Sequence, residues 1–284
     1  MLESQLIQII KSQAQDPDLI GDDCAVIDIG SEKYLFALDS FVEDVHYSSD
    51  YFSVEDIGWK SLAVNISDIA AMAGEPLWVL VGLNLSDSID DKQAWVEKFY
   101  TGLNQCASRF GQPKVIGGDI TASRGGTSIS IAIIGKASQP LLRSSAQPGY
   151  LVGVSGEFGA TGKFLEDSKQ EPPAKHLRPE PGLEQARQLS PEAALMDASD
   201  GLAQALFELA KQSGVSIEVE SSSIPLAPGA SLEHGLYAGE DYELVVCSQV
   251  LPPNFVQIGK VVPGEGSVRL DGQELEPKKI FQHF

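Results

Sequence analysis

The spacing of apolar residues predicts one long helix in the first half of the chain. From Gly58 to Pro76, apolar residues recur at steps of three and four, which places them on one face of a helix. Ser53 and Asp56 have the spacing of a capping box that begins this helix, and Gly74 followed by Pro76 ends it. The segment is therefore predicted to be an amphipathic helix with defined ends.

Apolar runs on both sides of this helix predict strands. They are Cys24–Ile27, Tyr34–Asp39, Leu77–Ser86, Lys114–Gly117 and Thr127–Ala137. The last run alternates with period two, which is typical of a half-buried strand, and the run before it is predicted to break at Gly117-Gly118-Asp119. Further helices are predicted over residues 2–14 and 90–110. Strands that alternate with helices indicate an α/β or α+β first domain.

The second half begins after a segment with the composition of a domain connection, Ser138–Tyr150. We therefore predict two domains, 1–140 and 141–284. Ser168–Pro181 holds four prolines and is predicted to be an exposed, mobile loop. A helix is predicted from about Asp200 to Gln212, with Ser199 as its N-cap.

The charge of the chain excludes one class of partner. With 20 basic and 40 acidic residues, the net charge is −20, and this field disfavours nucleic acid. A nucleotide would need divalent cations to approach the carboxylates. No apolar run approaches the ~20 residues that span a bilayer, so no membrane partner is expected. The three cysteines do not form a CxxC motif, which is the pattern expected of reduced thiols in a cytoplasm.

Common nucleotide and hydrolase motifs are missing from the sequence. Gly162-Lys163 is followed by Phe164 instead of Ser or Thr, so there is no P-loop. No G-x-G-x-x-G opens a helix after a strand, and HExxH, paired Cys/His sites and GxSxG do not occur. Zinc chemistry and hydrolysis by a serine nucleophile are therefore disfavoured.

Acidic residues at breaks in apolar segments form the main candidate site. They are Asp22, Asp23, Asp39, Asp68, Asp119, Asp197 and Asp200. Asp39 and Asp119 end apolar runs, and Asp68 shares a helix face with Asn65. Each acid alone also fits a structural role, such as a helix cap or a turn residue. Together, in a chain without zinc ligands, they predict several hard divalent cations bound by oxygen.

Four other positions are weaker candidates on spacing alone. His46 fits an ordinary surface histidine, and Phe281 fits a core residue. Arg143 fits either a phosphate partner or a solvated arginine. Glu240, just before a predicted strand, fits the rim of a cleft.

Six segments follow one another along the chain: GDDCAVI, the acid in FALDSFVEDVHY, LAVNISDIAAMAGEP, VIGGDITAS, LMDASDGL and AGEDYEL. Their order is the one found in thiamine-monophosphate kinases, and the chain resembles that family along nearly its whole length. That family belongs to the aminoimidazole ribonucleotide synthetase-like superfamily. The resemblance implies an α/β plus α+β fold, in which the sheet of the N-terminal α/β domain pairs with a second subunit into a dimer barrel. The C-terminal α+β domain would close the active cleft.

The resemblance also implies roles for individual residues, and no catalytic base. The implied magnesium ligands are Asp23, Asp39, Asp68, Asp119, Asp197 and Asp200. The implied ATP contacts are Gly118, Asp119, Arg143 and Ser199. The implied contacts to thiamine monophosphate are His46, Glu240 and Phe281. The chain departs from the family at Ala37-Leu38-Asp39, where relatives usually have Ser/Thr-Thr-Asp, so two hydroxyls near one magnesium site are missing.

By this resemblance, the chain is expected to be a cytoplasmic, homodimeric kinase with magnesium as its cofactor. It would move the γ-phosphoryl group of ATP onto thiamine monophosphate and give thiamine diphosphate. Two alternatives stay open. One is another ATP-using enzyme of the superfamily. The other is a homologue that binds nucleotide or thiamine phosphate with weakened catalysis or none, which the Ala37-Leu38 departure motivates.

Overall fold

The structure, a computed structural model, describes residues 2–166 and 171–276. Phe281, an expected substrate contact, lies outside the described residues. The helices are α1 (Leu2–Gln13), α2 (Val54–Ala71), α3 (Lys92–Arg109), α4 (Ala160–Glu166), α5 (Ala174–Leu177), α6 (Leu183–Ala186), α7 (Leu202–Ser213) and α8 (Leu232–Tyr237). The strands are β1 (Ala25–Ile29), β2 (Glu32–Val42), β3 (Glu75–Ser86), β4 (Lys114–Ser123), β5 (Ser128–Lys136), β6 (Leu151–Val154), β7 (Ala194–Asp197), β8 (Ser216–Val219), β9 (Leu244–Ser248), β10 (Val256–Val262), β11 (Val268–Leu270) and β12 (Gln273–Glu274).

The first sheet has one buried face and one face with exposed apolar residues. Its strand order is β1-β2-β5-β3-β4, and all neighbours are antiparallel except β3 and β4. On β5, Ile129, Ile131 and Ile133 are buried and alternate with more exposed residues, as the period-two pattern predicts. On the opposite face, Leu38 is 62% exposed, and Leu80 is also exposed. Because only one face of the sheet is buried, the other face is available for packing against a further layer of protein.

The second sheet is built from the second half of the chain. Its order is β12-β11-β8-β10-β6-β9-β7, with antiparallel neighbours except for β8 and β11. Apolar residues of α7 and of these strands share one hydrophobic cluster. A mixed α/β architecture with two sheets agrees with the expected fold class.

Helix α2 lies between the two sheets and contacts both β2 and β7. Ser53 and Asp56 form the predicted capping box, since each side chain accepts a hydrogen bond from the other's backbone N–H. Most of the helix is buried, including Lys60 and Asn65 on its polar positions. The polar face of α2 is therefore enclosed within the protein.

Two glycines allow α2 and α3 to cross in close contact. A Cβ at Gly58 would lie 2.0 Å from the carbonyl oxygen of Phe99. A Cβ at Gly102 would lie 1.8 Å from the carbonyl oxygen of Glu55. Because each glycine meets the backbone of the other helix, the crossing leaves no space for a side chain.

Two predicted strand ends are wrong. Asp39 lies inside β2, which continues to Val42, and β4 runs without a break through Gly117-Gly118-Asp119. Glycine is needed here for close contact between β4 and β3, and not for a turn. Gly118 has φ +154°, and a Cβ there would lie 1.9 Å from the carbonyl oxygen of Val81. Pairing with β3 supplies the backbone hydrogen bonds that keep this segment extended.

Two predictions for the second half of the chain are also corrected. Helix α7 begins at Leu202 with Gly201 as its N-cap, so Ser199 does not cap it; Gly201 has φ +100°, which keeps the preceding turn outside the helix. Within the predicted exposed loop, the described part includes α5, where His176 is only 2% exposed. Tertiary packing against aromatic residues outweighs the local composition there.

Among the described helices, none has the length and apolar character needed to cross a membrane.

The crossing of α2 and α3 gives a stability prediction. Gly58→Ala should lower the free energy of unfolding by about 1–3 kcal/mol, because the added methyl group must push the α3 backbone away. Urea denaturation monitored by circular dichroism measures this change. Gly125→Ala is the matched control, since the nearest atom to its added Cβ is 3.9 Å away. Equal stability of the two variants would contradict the proposed close crossing.

Candidate active site

Three carboxylates meet where α2 lies between the two sheets. One carboxylate oxygen from each of Asp23, Asp68 and Asp197 lies within 4.8 Å of the others. Asp23 precedes β1, Asp68 lies on α2, and Asp197 ends β7. Residues from three distant parts of the chain therefore form one acidic cluster.

Arg143 is the main cation beside this cluster. It lies on a short 3-10 helix (Arg143–Ser145) and donates two hydrogen bonds to Asp23, from Nη2 at 2.7 Å and from Nε at 3.1 Å. Its backbone N–H donates to the carboxylate of Asp22 at 3.1 Å. Burial and the charge of Asp23 nevertheless raise the pKa of Asp22 to about 6. One arginine thus balances only part of the negative charge.

Asp197 is fixed by a hydroxyl group on α2. Ser67 Oγ donates to Asp197 Oδ2 at 2.5 Å, and both residues are buried. This bond joins the end of β7 to the helix that carries Asp68. It holds two members of the acidic cluster in a fixed relation.

Asn65 joins α2 to the neighbouring strand. The backbone N–H of Asp39 donates to Asn65 Oδ1 at 3.3 Å, and Asn65 Nδ2 donates to the carbonyl of Ser61 at 2.9 Å. The side chain of Asn65 therefore places β2 beside the polar face of α2. Asp39 is in this way brought next to the cluster.

Burial and mutual repulsion raise the pKa values of the carboxyl groups. Burial, followed by the charge of Asp23, raises the pKa of Asp197 to about 8. Burial, followed by the charge of Asp200, raises the pKa of Asp39 to about 6. Burial, followed by the charges of Asp39 and Asp197, raises the pKa of Asp68 well above its usual range. Three carboxyl groups are thus held where water solvates their charged form poorly.

This donor set fits a divalent cation with a preference for oxygen. A cation among Asp23, Asp68 and Asp197 would replace repulsion by attraction and favour the ionised carboxylates. Magnesium is bound mainly through carboxylates, water and phosphate oxygens, and the cluster offers carboxylates beside open cavities. The residues present therefore agree with the expected chemistry.

A first cavity of about 510 Å³ opens on the cluster. Its lining includes Asp39, Asp68, Asp197, His46 and Glu240. The ring of His46 stacks on Phe41 at 5.9 Å, and its Nδ1 accepts a hydrogen bond from the N–H of Val42 at 3.0 Å. The two expected substrate contacts in the described residues thus share one cavity with four of the expected metal ligands, Asp200 included.

A second cavity of about 880 Å³ is connected to the cluster through Arg143, the partner of Asp23. Its lining includes Asp22 and Arg143. Ser199 and Asp200 line both cavities. The turn that carries these two residues therefore forms part of the wall of both cavities.

Glu240 is held against this turn by a strained backbone. Glu240 and Tyr242 have φ of +62° and +51°, values that cost about 1–3 kcal/mol each outside glycine. The N–H of Glu240 donates to the carbonyl of Ser199 at 2.6 Å, and that of Tyr242 donates to the carbonyl of Ala198 at 3.1 Å. The position of Glu240 is therefore coupled to the wall that the two cavities share.

Two expected residues lie away from the cluster within this chain. Gly118 and Asp119 are on β4, the edge strand of the first sheet. Across the sheet, Asp119 pairs with Gly82 on β3. Gly82 pairs with Ser130 on β5, and Ser130 pairs with Ser40 on β2. Three strand spacings separate the two ends of this row of paired residues, about 14 Å.

Sequence reasoning did not identify three polar residues of the site. They are Ser67, Lys60 and His176, all buried. Lys60 had a usable signal, since it lies eight residues before Asp68 and so on the same helix face. His176 had none, because its segment has the composition of a loop.

Comparisons with known proteins give consistent results. The family model described as AIR synthase related protein, N-terminal domain, matches residues 21–137. A thiamine-monophosphate kinase of Aquifex aeolicus is 34% identical over an alignment of 307 residues, which covers 99% of this chain and 98% of the relative.

Solved structures agree with the sequence comparison. The structure of AaThiL complexed with AMPPCP and TMP has a TM-score of 0.88 and 33% identity, and the match covers 99% of this chain and 97% of that chain. Hydrogenase maturation protein HypE in complex with ATP has a TM-score of 0.71 at 18% identity, covering 97% and 95% of the two chains. At that identity, the second match shows a shared fold only.

The pKa of Asp197 gives a prediction for the metal-free protein. The folded state holds the Asp197 proton up to about pH 8, whereas a free aspartate releases it near 3.8. Folding therefore takes up a proton between these values, and stability falls as the pH rises through them. Asp197→Asn removes this charge and keeps an acceptor for Ser67, so the free energy of unfolding at pH 8 should rise by at least about 1 kcal/mol.

Urea titrations in a chelator at pH 5 and pH 8 measure this effect. Asp16→Asn is the control, since Asp16 is exposed and makes no side-chain cap. A wild-type protein equally stable at both pH values, or an Asp197→Asn variant with unchanged stability at pH 8, would contradict the prediction.

Proposed function

Because the chain belongs to the thiamine-monophosphate kinase family, we propose that it transfers the γ-phosphoryl group of ATP to thiamine monophosphate with the help of several magnesium ions. The observation that carries this proposal is the acidic cluster beside two cavities. Asp68 and Asp197 line the smaller cavity together with His46 and Glu240, and Arg143, which holds Asp23, lines the larger one.

Each cavity is assigned to one reactant. ATP would occupy the larger cavity, where Arg143 and Ser199 are available to its phosphates. Thiamine monophosphate would occupy the smaller cavity, beside His46 and Glu240. The phosphate groups of both would then meet near Asp200, which lines both spaces.

The chemistry requires charge neutralisation more than proton transfer. The acceptor is already an anionic phosphate oxygen, so we assign no catalytic base. Magnesium bound by the carboxylates would neutralise the phosphates and align them for in-line transfer. The residues of the chain hold this arrangement: Ser67 fixes Asp197, Asn65 places β2, and Arg143 holds Asp23.

We further propose a homodimer in which a second copy of the chain supplies Gly118 and Asp119. These residues lie on the exposed edge strand, about 14 Å across the sheet from the strand of Asp39. A contribution from the partner would bring them to the cluster without any change of the fold.

The outer face of the first sheet supports such a dimer. Its exposed apolar side chains include Leu38, Trp78 and Leu80. An apolar face of this kind is unusual for a monomer and is suited to a second copy, as in the expected barrel.

The proposed division of labour follows the two halves of the chain. Residues 1–140 would form the ATP- and magnesium-binding domain, and residues 141–284 would close the cleft and contribute Arg143, Asp197, Ser199 and Asp200 to the site. A cytoplasmic setting is supported by the cysteines, because Cys24, Cys106 and Cys247 are buried free thiols.

One observation favours a second candidate, a protein that binds these ligands with little or no turnover. Ala37 and Leu38 offer no hydroxyl beside Asp39, and Leu38 is largely exposed on the outer face of the sheet. Calorimetry with thiamine monophosphate and magnesium–ATP, compared with a turnover assay, separates the two candidates. Binding without product at any magnesium concentration would favour the second.

The first test of the proposed function is a turnover assay with Asp68→Asn. Wild-type protein with ATP, magnesium and thiamine monophosphate should give thiamine diphosphate. The variant should lose at least about a hundredfold in kcat, because one carboxylate of the cluster is gone. Asp16→Asn should match the wild type. A folded wild-type protein that makes no diphosphate would overturn the enzymatic proposal.

A second test asks whether Asp119 acts across the dimer. Asp68→Asn and Asp119→Asn should each be inactive, but an exchanged mixture contains heterodimers in which one site has neither substitution. Each mixed dimer has one intact site out of two. If half of the dimers are mixed, about one quarter of all sites are intact, so the activity should recover to about one quarter of the wild type. The control is each variant taken through the same exchange alone. A mixture as inactive as its components would place Asp119 in the same subunit's site or outside it.

A further inference from the structure

Lys60 is a buried cation that none of the roles above uses. Its exposed fraction is 0%, although lysine is rarely enclosed without a specific partner. Its Nζ donates a hydrogen bond to Glu240 Oε2, which is also its ion-pair partner. The same Nζ lies 5.2 Å from the ring centre of Phe52 and 5.7 Å from that of Phe41. Aromatic faces and one carboxylate thus replace water around the ammonium group.

The carboxylate of Glu240 is fixed on both oxygens. Oε2 accepts from Lys60, and Oε1 accepts from the hydroxyl of Tyr242 at 3.0 Å. The side chain of Glu240 keeps 22% of its surface exposed, and Glu240 lines the smaller cavity. The carboxylate is therefore held in one orientation while one side of it stays open to a ligand.

The nearby histidine does not share this role. His176 Nδ1 lies 3.6 Å from Glu240 Oε2. Burial, followed by the charge of Lys60, lowers the pKa of His176 to about 4, so the ring is neutral near pH 7. Lys60 is then the cation that balances Glu240.

Helix α2 places Lys60 and the acidic cluster at opposite ends of one stripe. Lys60, Val64 and Asp68 follow at four-residue steps, and Val64 and Asp68 both line the smaller cavity. Eight residues of helix span about 12 Å. The cavity thus has a metal-binding end at Asp68 and a second polar end at the Lys60–Glu240 pair.

We propose that Lys60 is a positioning residue that fixes Glu240 for recognition of the cationic heteroaromatic part of thiamine monophosphate. This inference rests on the proposed function. The phosphate of the substrate would point to the acidic cluster, and its positively charged ring system would lie toward Glu240. Because Lys60 is fully enclosed, it acts through Glu240 and does not touch the substrate.

The proposal predicts different effects of Lys60 on the binding of the two reactants. Loss of Lys60 should leave Glu240 without its fixed orientation and weaken the binding of thiamine monophosphate. Magnesium–ATP, which is assigned to the larger cavity, should bind as before. If the ion pair had a merely structural role, loss of Lys60 would lower the stability of the protein and leave the affinities for both reactants unchanged.

The experiment compares Lys60→Met with Lys60→Arg and the wild type. We expect the KM for thiamine monophosphate to rise at least about tenfold in Lys60→Met, with a smaller change in kcat and an unchanged KM for ATP. Lys60→Arg keeps the charge and should recover most of the loss. Lys260→Met is the matched control, since Lys260 forms an exposed ion pair with Glu218 in the second sheet. If Lys60→Met does not fold, Lys60→Gln replaces it.

A double-mutant cycle tests whether Lys60 acts through Glu240. In a Glu240→Gln background, adding Lys60→Met should change the KM by less than about twofold, because the group that Lys60 orients is already gone. Independent, multiplying effects would overturn the inference, as would an unchanged KM for thiamine monophosphate in every folded Lys60 variant. A wild-type protein that binds no thiamine monophosphate by calorimetry would overturn the proposed function and this inference together.

Discussion

Repulsion between buried carboxylates is the constraint on which the rest of the site depends. Asp23, Asp68 and Asp197 are held within 4.8 Å of one another, and burial and mutual repulsion keep the pKa values of Asp68 and Asp197 above their usual range. Such an arrangement is unfavourable without a counter-charge. The structure supplies only part of it, through Arg143. The remaining imbalance is what makes the cluster suited to cations and, through them, to phosphate groups.

Helix α2 holds the cluster in place. It is buried between two sheets, and its close crossing with α3 at Gly58 and Gly102 restricts its position. Polar side chains along the helix each reach a different neighbour: Asn65 reaches β2, and Ser67 reaches the end of β7. A rigid helix therefore sets the relation between groups that come from distant parts of the chain.

A backbone hydrogen bond connects the wall that the two cavities share to the segment that carries Glu240. The turn with Ser199 belongs to this wall, and its carbonyl accepts from the N–H of Glu240. Positive φ values at Gly239, Glu240 and Tyr242 show that this segment is held in an uncommon conformation. A change in the turn would therefore be transmitted to the end of the smaller cavity where Glu240 lies.

The sequence alone determined the capping box of α2, the alternating strand β5 and the acidic character of the site. These features depend on local spacing and on residue chemistry. It did not determine that β4 passes straight through Gly117-Gly118-Asp119, because strand pairing and not composition decides that segment. It also did not determine which acids converge. Asp23, Asp68 and Asp197 meet because two sheets enclose α2, whereas Asp119 lies on the far edge strand. Lys60 and His176 entered the site for the same reason, since only tertiary packing decides which polar side chains lose contact with water.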